Sequence, residues 1–352
     1  MQIFCVGGAI RDALLGRPAG DVDFVVLGSS DQEFALSFPQ ARKVGQHHPV
    51  FLYKGRQYTV SKAQDIDHDL HDRDLTINAL AMDDRGYLYA HPLAVSDLAR
   101  KALRPVAHQN FFADPLRVIR AARFKATLPD FRLPLTLRNL MTRVARSGSL
   151  ELVASERVGR EVRLACQSTK PGHFVRVLAA ASCLGPWLKE LADIQWTQTA
   201  RFMDRLSGSE QRVWMAMVHT LTVPGSYQET PGPNMSCAAL AADLGKRLHF
   251  PKHLITAGRL AASWQQAAGD YEQLEPSLRI HMLLDLYAHK AMDDFWALIR
   301  VIKGKDLAPR AQSELQTILD VRLPEDRRNQ GRRSGEYLHF LRCRALEQKV
   351  LQ

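Results

Sequence analysis

Two aspartates one residue apart, Asp21 and Asp23, open an apolar run over 22–27 that reads as a strand. Alternation along a strand puts both carboxylates on one face, roughly 6–7 Å apart. Side by side they repel, and a divalent cation relieves that repulsion. Mg²⁺ suits such a pair, because it takes one or two carboxylates and completes its shell with substrate phosphates. Upstream, Gly7-Gly8 stands where the β-forming run QIFCV gives way to AIRDALLG. Glycines there let backbone approach a ligand, the N–H groups of a helix start attract phosphate, and Arg11, one turn on, adds a charged fork. A third group is Arg73-Asp74, a charged pair leading into an amphipathic turn in which Asn78 can tie a loop. Each feature also has a plainer reading when taken alone: a tight turn, a solvated strand edge, a capped helix start after an acidic loop.

The elements that must position these groups divide the chain near residue 110. Before it the pattern is α/β. Strands are expected over 2–6 and 22–27, with a helix between them ended by Gly16, Pro18 and Gly20. A hairpin is expected from 50–54 and 57–62 around Gly55-Arg56, an acidic polar loop over 65–74, and a turn at Arg85-Gly86. After it the period is helical. FFADPLRVIRAARFKA carries Phe112, Leu116, Ile119 and Phe124 near a 3.6 spacing, with Asp114 as N-cap and Pro115 as first helical residue. Arg117, Arg120 and Arg123 follow at intervals of three, a slowly drifting stripe on one helix face. Further helices are expected over 135–146, 155–167, 172–183, 187–193, 209–221, 237–248, 252–267, 276–289, 293–302, 310–320 and 334–350. The segment 223–234, VPGSYQETPGPN, reads as a linker or long loop.

The 352 residues are 46% hydrophobic and 24% charged, which excludes a disordered tail, a collagen or a disulfide-stapled mini-fold. No apolar run reaches membrane-spanning length and no signal-like start is present, so a cytoplasmic protein off the membrane is expected. Five scattered cysteines without a CxxC spacing fit a reduced compartment. The net charge of +10 is unevenly spread: residues 1–110 hold 12 basic and 13 acidic side chains, and 111–170 hold 12 and 5. A near-neutral head followed by a basic body suits a polyanion lying along the second part.

Taken together, GGAIRDALLGRPAGDVDFVV, DRDLTINALAMDD, FFADPLRVIRAARF and SERVGRE, in this order and spacing, resemble the class II tRNA nucleotidyltransferases, the CCA-adding enzyme family. The resemblance is dense over 1–165 and thin beyond, where RNQGRRSGEYLHFLRCRAL is only loosely similar to the family's closing segment. It implies an α+β chain: a polymerase-β-like nucleotidyltransferase head with a small mixed sheet (1–110), then an all-α neck (111–168), body (169–270) and RNA-binding tail (271–352). It implies that Gly8 and Arg11, with Gly7 beside them, hold the triphosphate of an incoming CTP or ATP. Asp21 and Asp23 match the metal-binding, catalytic carboxylates. Arg73 and Asp74 match positions that contact the nucleotide sugar and phosphates. Asp114 and Arg117 match the pair that reads the Watson–Crick edge of the base, and Arg120 and Arg123 match further nucleotide contacts. An acceptor for an exocyclic amine and a donor to a ring nitrogen or carbonyl suit cytosine and adenine and leave uracil unmatched.

The expected reaction is attack of a tRNA 3′-hydroxyl on an α-phosphate, with Mg²⁺ as cofactor, tRNA as partner, and a monomer or weak dimer as the working form. The chain departs from the family pattern at Ala113, commonly Glu; at Asp72-Arg73, commonly two arginines; at Ala94-Val95, commonly two glycines; and at Gln57, where a third carboxylate often stands. The family's bacterial phosphohydrolase domain carries a His-Asp pair. The nearest match here, His219-Thr220, lacks the Asp, while His68-Asp69 and His71-Asp72 lie in the acidic loop of the head, so no functional phosphohydrolase is expected. Alternatives that share the head motifs are a partial CC- or A-adding enzyme, a bacterial poly(A) polymerase, an inactive tRNA-binding module and a small-molecule nucleotidyltransferase.

Overall fold

The structure is a computed structural model that describes residues 1–18, 20–45, 49–192, 194–221 and 232–350, without the side chain of residue 350. The chain divides into two compact units, Met1–Val153 with Ala180–Cys183, and Ala154–Ala179 with Leu184–Gln352.

The first unit is built on a seven-stranded mixed sheet of order β3-β4-β5-β2-β1-β6-β7. The strands are β1 (Gln2–Val6), β2 (Asp23–Leu27), β3 (Arg42–Val44), β4 (Val50–Tyr53), β5 (Arg56–Val60), β6 (Leu80–Met82) and β7 (Leu88–Ala90). Only β2 and β5 run parallel; the other neighbours are antiparallel. Period-2 alternation sends Phe4, Val6, Val25, Leu27 and Ala81 to one face. Val26, Phe51 and Tyr58 go to the other. Helices cover both faces. Ile66 and Leu70 of α3 (Ile66–His71) close the first, and Phe34 of α2 (Asp31–Ser37) closes the second. Helix α1 (Gly8–Leu14) packs on β1, β6 and the 3₁₀ turn Thr76–Asn78. The unit is completed by α4 (Ala94–Ala99), α5 (His108–Ala113), α6 (Leu116–Thr127) and α7 (Leu135–Arg146).

Several sequence expectations need correction. Of the expected loop 65–74, residues 66–71 form helix α3, and only 65 and 72–74 stay irregular. Asp65 caps α3 by accepting the His68 N–H at 2.9 Å, and Ile66 and Leu70, one turn apart, are buried. His68, Asp69 and His71 are therefore helical; Asp69 is taken by Arg73 and Ser61, and the His71 ring meets the Asp67 carbonyl. The hairpin turns at Lys54-Gly55, one residue earlier than expected, since these two residues adopt positive φ. α6 begins one residue later than expected, with Pro115 in the N-cap place and no side-chain cap, and Asp114, of extended backbone, ends α5 (His108–Ala113), a helix the sequence pattern did not mark. The helix expected over 187–193 shrinks to a 3₁₀ turn, Lys189–Leu191. Of the expected linker 223–234, residues 223–231 lie outside the described residues.

Among its described residues the second unit is helical: α8 (Ser155–Cys166), α9 (Gly172–Ala180), α10 (Trp196–Arg205), α11 (Glu210–Val218), α12 (Met235–Arg247), α13 (Lys252–Gly269), α14 (Pro276–Ala288), α15 (Met292–Lys303), α16 (Ala308–Asp320) and α17 (Arg332–Val350). Its core gathers around Trp214, whose indole N–H donates to the Leu254 carbonyl at 2.9 Å. Gly159 of α8 lets that helix touch backbone: a Cβ there would overlap the Leu248 carbonyl. Gly159→Ala should therefore cost about 1–3 kcal/mol through overpacking. A chemical-denaturation midpoint equal to that of the unaltered protein would show that the contact yields freely.

Candidate active site

The site starts at Gly7, between β1 and α1. Its φ of 73° with ψ of −121° is a conformation only glycine adopts without strain. Its N–H donates to the Leu80 carbonyl at 2.9 Å and ties the turn to β6. The register of β1 with β2 sets Asp23 opposite Val6, one residue from that turn. Asp23 lies on the Val25–Leu27 side of the sheet and is exposed; Asp21, two residues before the strand, is exposed as well. In the parallel pair beside it, Asp23 registers with Gln57, so the neighbour on β5 is a neutral amide. Burial and then the charge of Asp23 push up the Cys5 thiol on the adjoining strand.

Across the turn lies a buried chain of polar side chains from three separated segments. Arg11, 6% exposed, donates from Nε and Nη2 to the Asp12 carboxylate, each at 2.9 Å. Its Nη1 donates to Asn78 Oδ1 at 2.7 Å. Asn78 Nδ2 donates to Asp74 Oδ1 at 3.1 Å, and the Leu75 N–H donates to the same oxygen at 2.7 Å. Asp74 Oδ2 accepts Arg120 Nε at 2.9 Å. Burial raises the Asp74 pKa, but the Arg120 charge, the Asn78 amide and the Leu75 N–H more than offset it and hold the carboxyl well below the usual range. The guanidinium carbons of Arg11, Arg120 and Arg123 lie 5.5, 5.6 and 4.2 Å from the centre of the Phe124 ring. The ring face is an aromatic platform that attracts cations, and Arg11 and Arg120 are also held by the Asp12 and Asp74 carboxylates.

The two base-reading candidates stand at the start of α6. The Asp114 carbonyl accepts the Arg117 N–H at 3.1 Å, and Arg117 Nη1 donates to the Arg73 carbonyl at 3.0 Å. Asn110 donates to the carbonyls of His71 and Arg73, at 2.6 and 3.0 Å. The Arg73 side chain pairs with Asp69, and its Nη1 comes near Gly7. Beneath, buried Asp97 accepts Thr76 Oγ1 at 2.8 Å and Arg104 Nε at 2.9 Å, bracing the 3₁₀ turn that carries Asn78.

Arg11, Asp74 and Arg120 are thus brought into one hydrogen-bonded chain, with Arg123 at its platform and Gly7 and Arg73 beside it. Asp23 opens β2 opposite Val6, next to the glycine turn, while Asp21 precedes the strand, so strand alternation does not set its carboxylate on the Asp23 face as the sequence pattern predicts. Among the described residues no three His, Cys, Asp or Glu side chains gather to hold a metal. The donor set still fits Mg²⁺: two oxygen ligands next to a phosphate-attracting turn leave the remaining positions to a triphosphate and water. Asp12, Asn110 and Phe124 were not singled out as site residues from sequence. Asp12 directly follows Arg11 and was legible on that ground; Asn110 gave no signal; Phe124 carried only the apolar period.

A small mixed sheet that sets an aspartate-led strand beside a glycine turn, followed by an arginine-bearing helix and a helical remainder, is the architecture of a nucleotidyltransferase. A family model described as "Poly A polymerase head domain" matches residues 3–54. The "Multifunctional CCA protein" of Stenotrophomonas maltophilia (strain R551-3) is 36% identical over 292 residues, covering 72% of this chain and 68% of that protein. The protein of the same name from Xanthomonas campestris pv. campestris (strain B100) is 34% identical over 335 residues, covering 81% and 77%. The fold is shared with a CCA-adding enzyme solved with ATP, at a TM-score of 0.66, 20% identity and coverage of 98% of this chain and 86% of that one. It is shared also with the Bacillus stearothermophilus CCA-adding enzyme in complex with CTP, at 0.64, 22%, 89% and 77%. The chain belongs to the CCA-adding protein family. Members of this family generally depend on a divalent metal.

Proposed function

We propose that this chain adds C, C and A in turn to the 3′ end of tRNA, from CTP and ATP and without a nucleic-acid template, releasing pyrophosphate in the cytoplasm. The observation that carries the reading is the convergence of Arg11, Asp74 and Arg120, whose links span 67 and 46 residues of sequence, beside the strand that bears Asp23. Asp21 and Asp23 would hold Mg²⁺, which would supply Lewis-acid activation of the attacking hydroxyl and charge neutralisation at the leaving oxygens. Gly7, Gly8 and Arg11 receive the triphosphate, with Arg120 and Arg123 adding charge and Arg73 reaching sugar and phosphate. Asp74 acts through its hold on Arg120, since both of its oxygens are engaged. Asp114 accepts from the exocyclic amine of cytosine or adenine while Arg117 donates to the ring. Placement and charge neutralisation drive the transfer, with no covalent enzyme intermediate. The basic 111–170 block grips tRNA phosphates and 2′-hydroxyls.

The test is to supply the protein with tRNA ending at the discriminator base and to sequence the products. CTP alone should yield C-C, ATP alone no extension, and both together C-C-A. Long A tails would instead indicate a poly(A) polymerase, and a product stopping at C-C with both nucleotides a partial enzyme.

A further inference from the structure

We infer that Asn78 is a positioning residue for the triphosphate: its amide sets the Arg11 guanidinium against the Arg120 guanidinium, so that the two close on one polyphosphate. The inference rests on the nucleotide-site reading above and adds to it a residue that touches neither substrate nor metal.

Asn78 is 6% exposed and uses both ends of its side chain. The carbonyl accepts from a cation, Arg11, at 2.7 Å, and the NH₂ donates to an anion, Asp74, at 3.1 Å. A flipped amide would set NH₂ against guanidinium and carbonyl against carboxylate, so its unlike neighbours fix its orientation. No other side chain of this size does both. Leucine would leave the two groups without that partner in a buried place, aspartate would set a second carboxylate against Asp74, and serine is one bond too short to span them.

The other side-chain hydrogen bonds of Arg11 go to Asp12, its own neighbour on α1, and that pair can turn together. Asn78 is the hydrogen-bonding contact from outside the helix that fixes where the fork lies. The amide is itself rigidly mounted. Thr76 and Asp97 brace its turn, Thr76 N–H donates to the Arg104 carbonyl at 2.9 Å, and Leu75 and Ile77 are fully buried. Arg11 and Arg120 are each held by a carboxylate, Asp12 and Asp74, yet both guanidinium carbons lie within 5.6 Å of the centre of one ring. A polyphosphate that needs two forks at a set spacing accounts for it.

The experiment compares the full-length protein with Asn78→Leu and Asn78→Ser, measuring affinity for ATP and for AMP, and KM and kcat with CTP and ATP. Asn78→Leu should weaken ATP roughly 10- to 100-fold, the effect of losing a hydrogen bond to a charged group, while AMP changes less than about twofold. Asn78→Ser should show a smaller loss of the same kind. KM for CTP and ATP should rise by a common factor, with kcat changing less, because phosphate contacts do not distinguish the bases. An ATP-to-AMP ratio equal to that of the unaltered protein in either folded variant overturns the inference, as does an equal loss for both ligands. If Asn78→Leu does not fold, Asn78→Ser decides alone. An unaltered protein that binds ATP no tighter than AMP would sink the nucleotide-site reading itself, before any variant is compared.

Discussion

Asp23→Asn is expected to slow nucleotide incorporation by about three orders of magnitude while leaving the unfolding free energy within about 0.5 kcal/mol of its original value. The two halves of this result have different causes. Asp23 is exposed at the entry to β2, on the side of the sheet that carries Val25 and Leu27, and its backbone pairs with Val6 beside the glycine turn. The amide keeps the shape of an exposed side chain and can still accept a hydrogen bond, so only a small response of the fold is expected. The reaction does. With Gln57 neutral at the adjoining position of β5, the proposed metal rests on two carboxylates, and no third acid stands in register to replace one. Losing a ligand that neutralises charge developing in the transition state costs about 4 kcal/mol, which corresponds to roughly a thousandfold in rate. Single-turnover incorporation of CTP at saturating Mg²⁺, beside a denaturation curve of the same sample, reads both quantities. An undiminished rate would show that Asp23 does not hold the metal.

How far the site was legible in sequence depended on how far apart its parts lie. β1, the glycine turn, α1 and β2 are specified within a few residues of one another, and period-2 alternation with a glycine break marks them. The range of α7 was readable to the residue, because Pro134 precedes a full amphipathic period. Short or polar elements escaped. The Ser30–Glu33 capping box of α2 was present in the sequence and was passed over, since the helix it starts buries only Phe34. β3 is too short to show a period. α3 hides among aspartates because just two apolar residues face the core. α10 buries Thr199, Ala200, Phe202 and Met203, a face too polar to stand out. The Arg11–Asn78–Asp74–Arg120 chain has no local signature, since tertiary packing alone brings its members together. Resemblance to a family named most of these residues. It did not indicate that both oxygens of Asp74 are occupied, or that an amide links it to Arg11.

That linkage makes Arg120 a position where a side-chain change should cost measurable stability. Arg120→Met removes the cation that holds Asp74 and leaves a buried carboxylate with the Leu75 N–H and the Asn78 amide. Losing one partner of a buried pair can cost 3–5 kcal/mol. Here the Arg120 side chain is 34% exposed, so water already screens part of the interaction and about 2–3 kcal/mol is expected. The pH dependence distinguishes charge from packing. In the unaltered protein the Asp74 carboxyl titrates below its unfolded value of about 3.9, so its contribution is present above that pH and fades as pH falls through the folded value. In Arg120→Met the upward effect of burial loses its main opponent, so the folded pKa rises. A raised carboxyl contributes stability at low pH and loses it as pH climbs. The gap between the two proteins should therefore be widest near pH 7 and narrow toward pH 4, read as denaturation midpoints across that range. Adding Asp74→Asn to the variant should recover part of the loss at pH 7, because the buried group no longer carries a charge. A gap that stays constant from pH 7 to pH 4 would assign the loss to other contacts of Arg120, such as its guanidinium over the Phe124 ring, and remove Asp74 from the account.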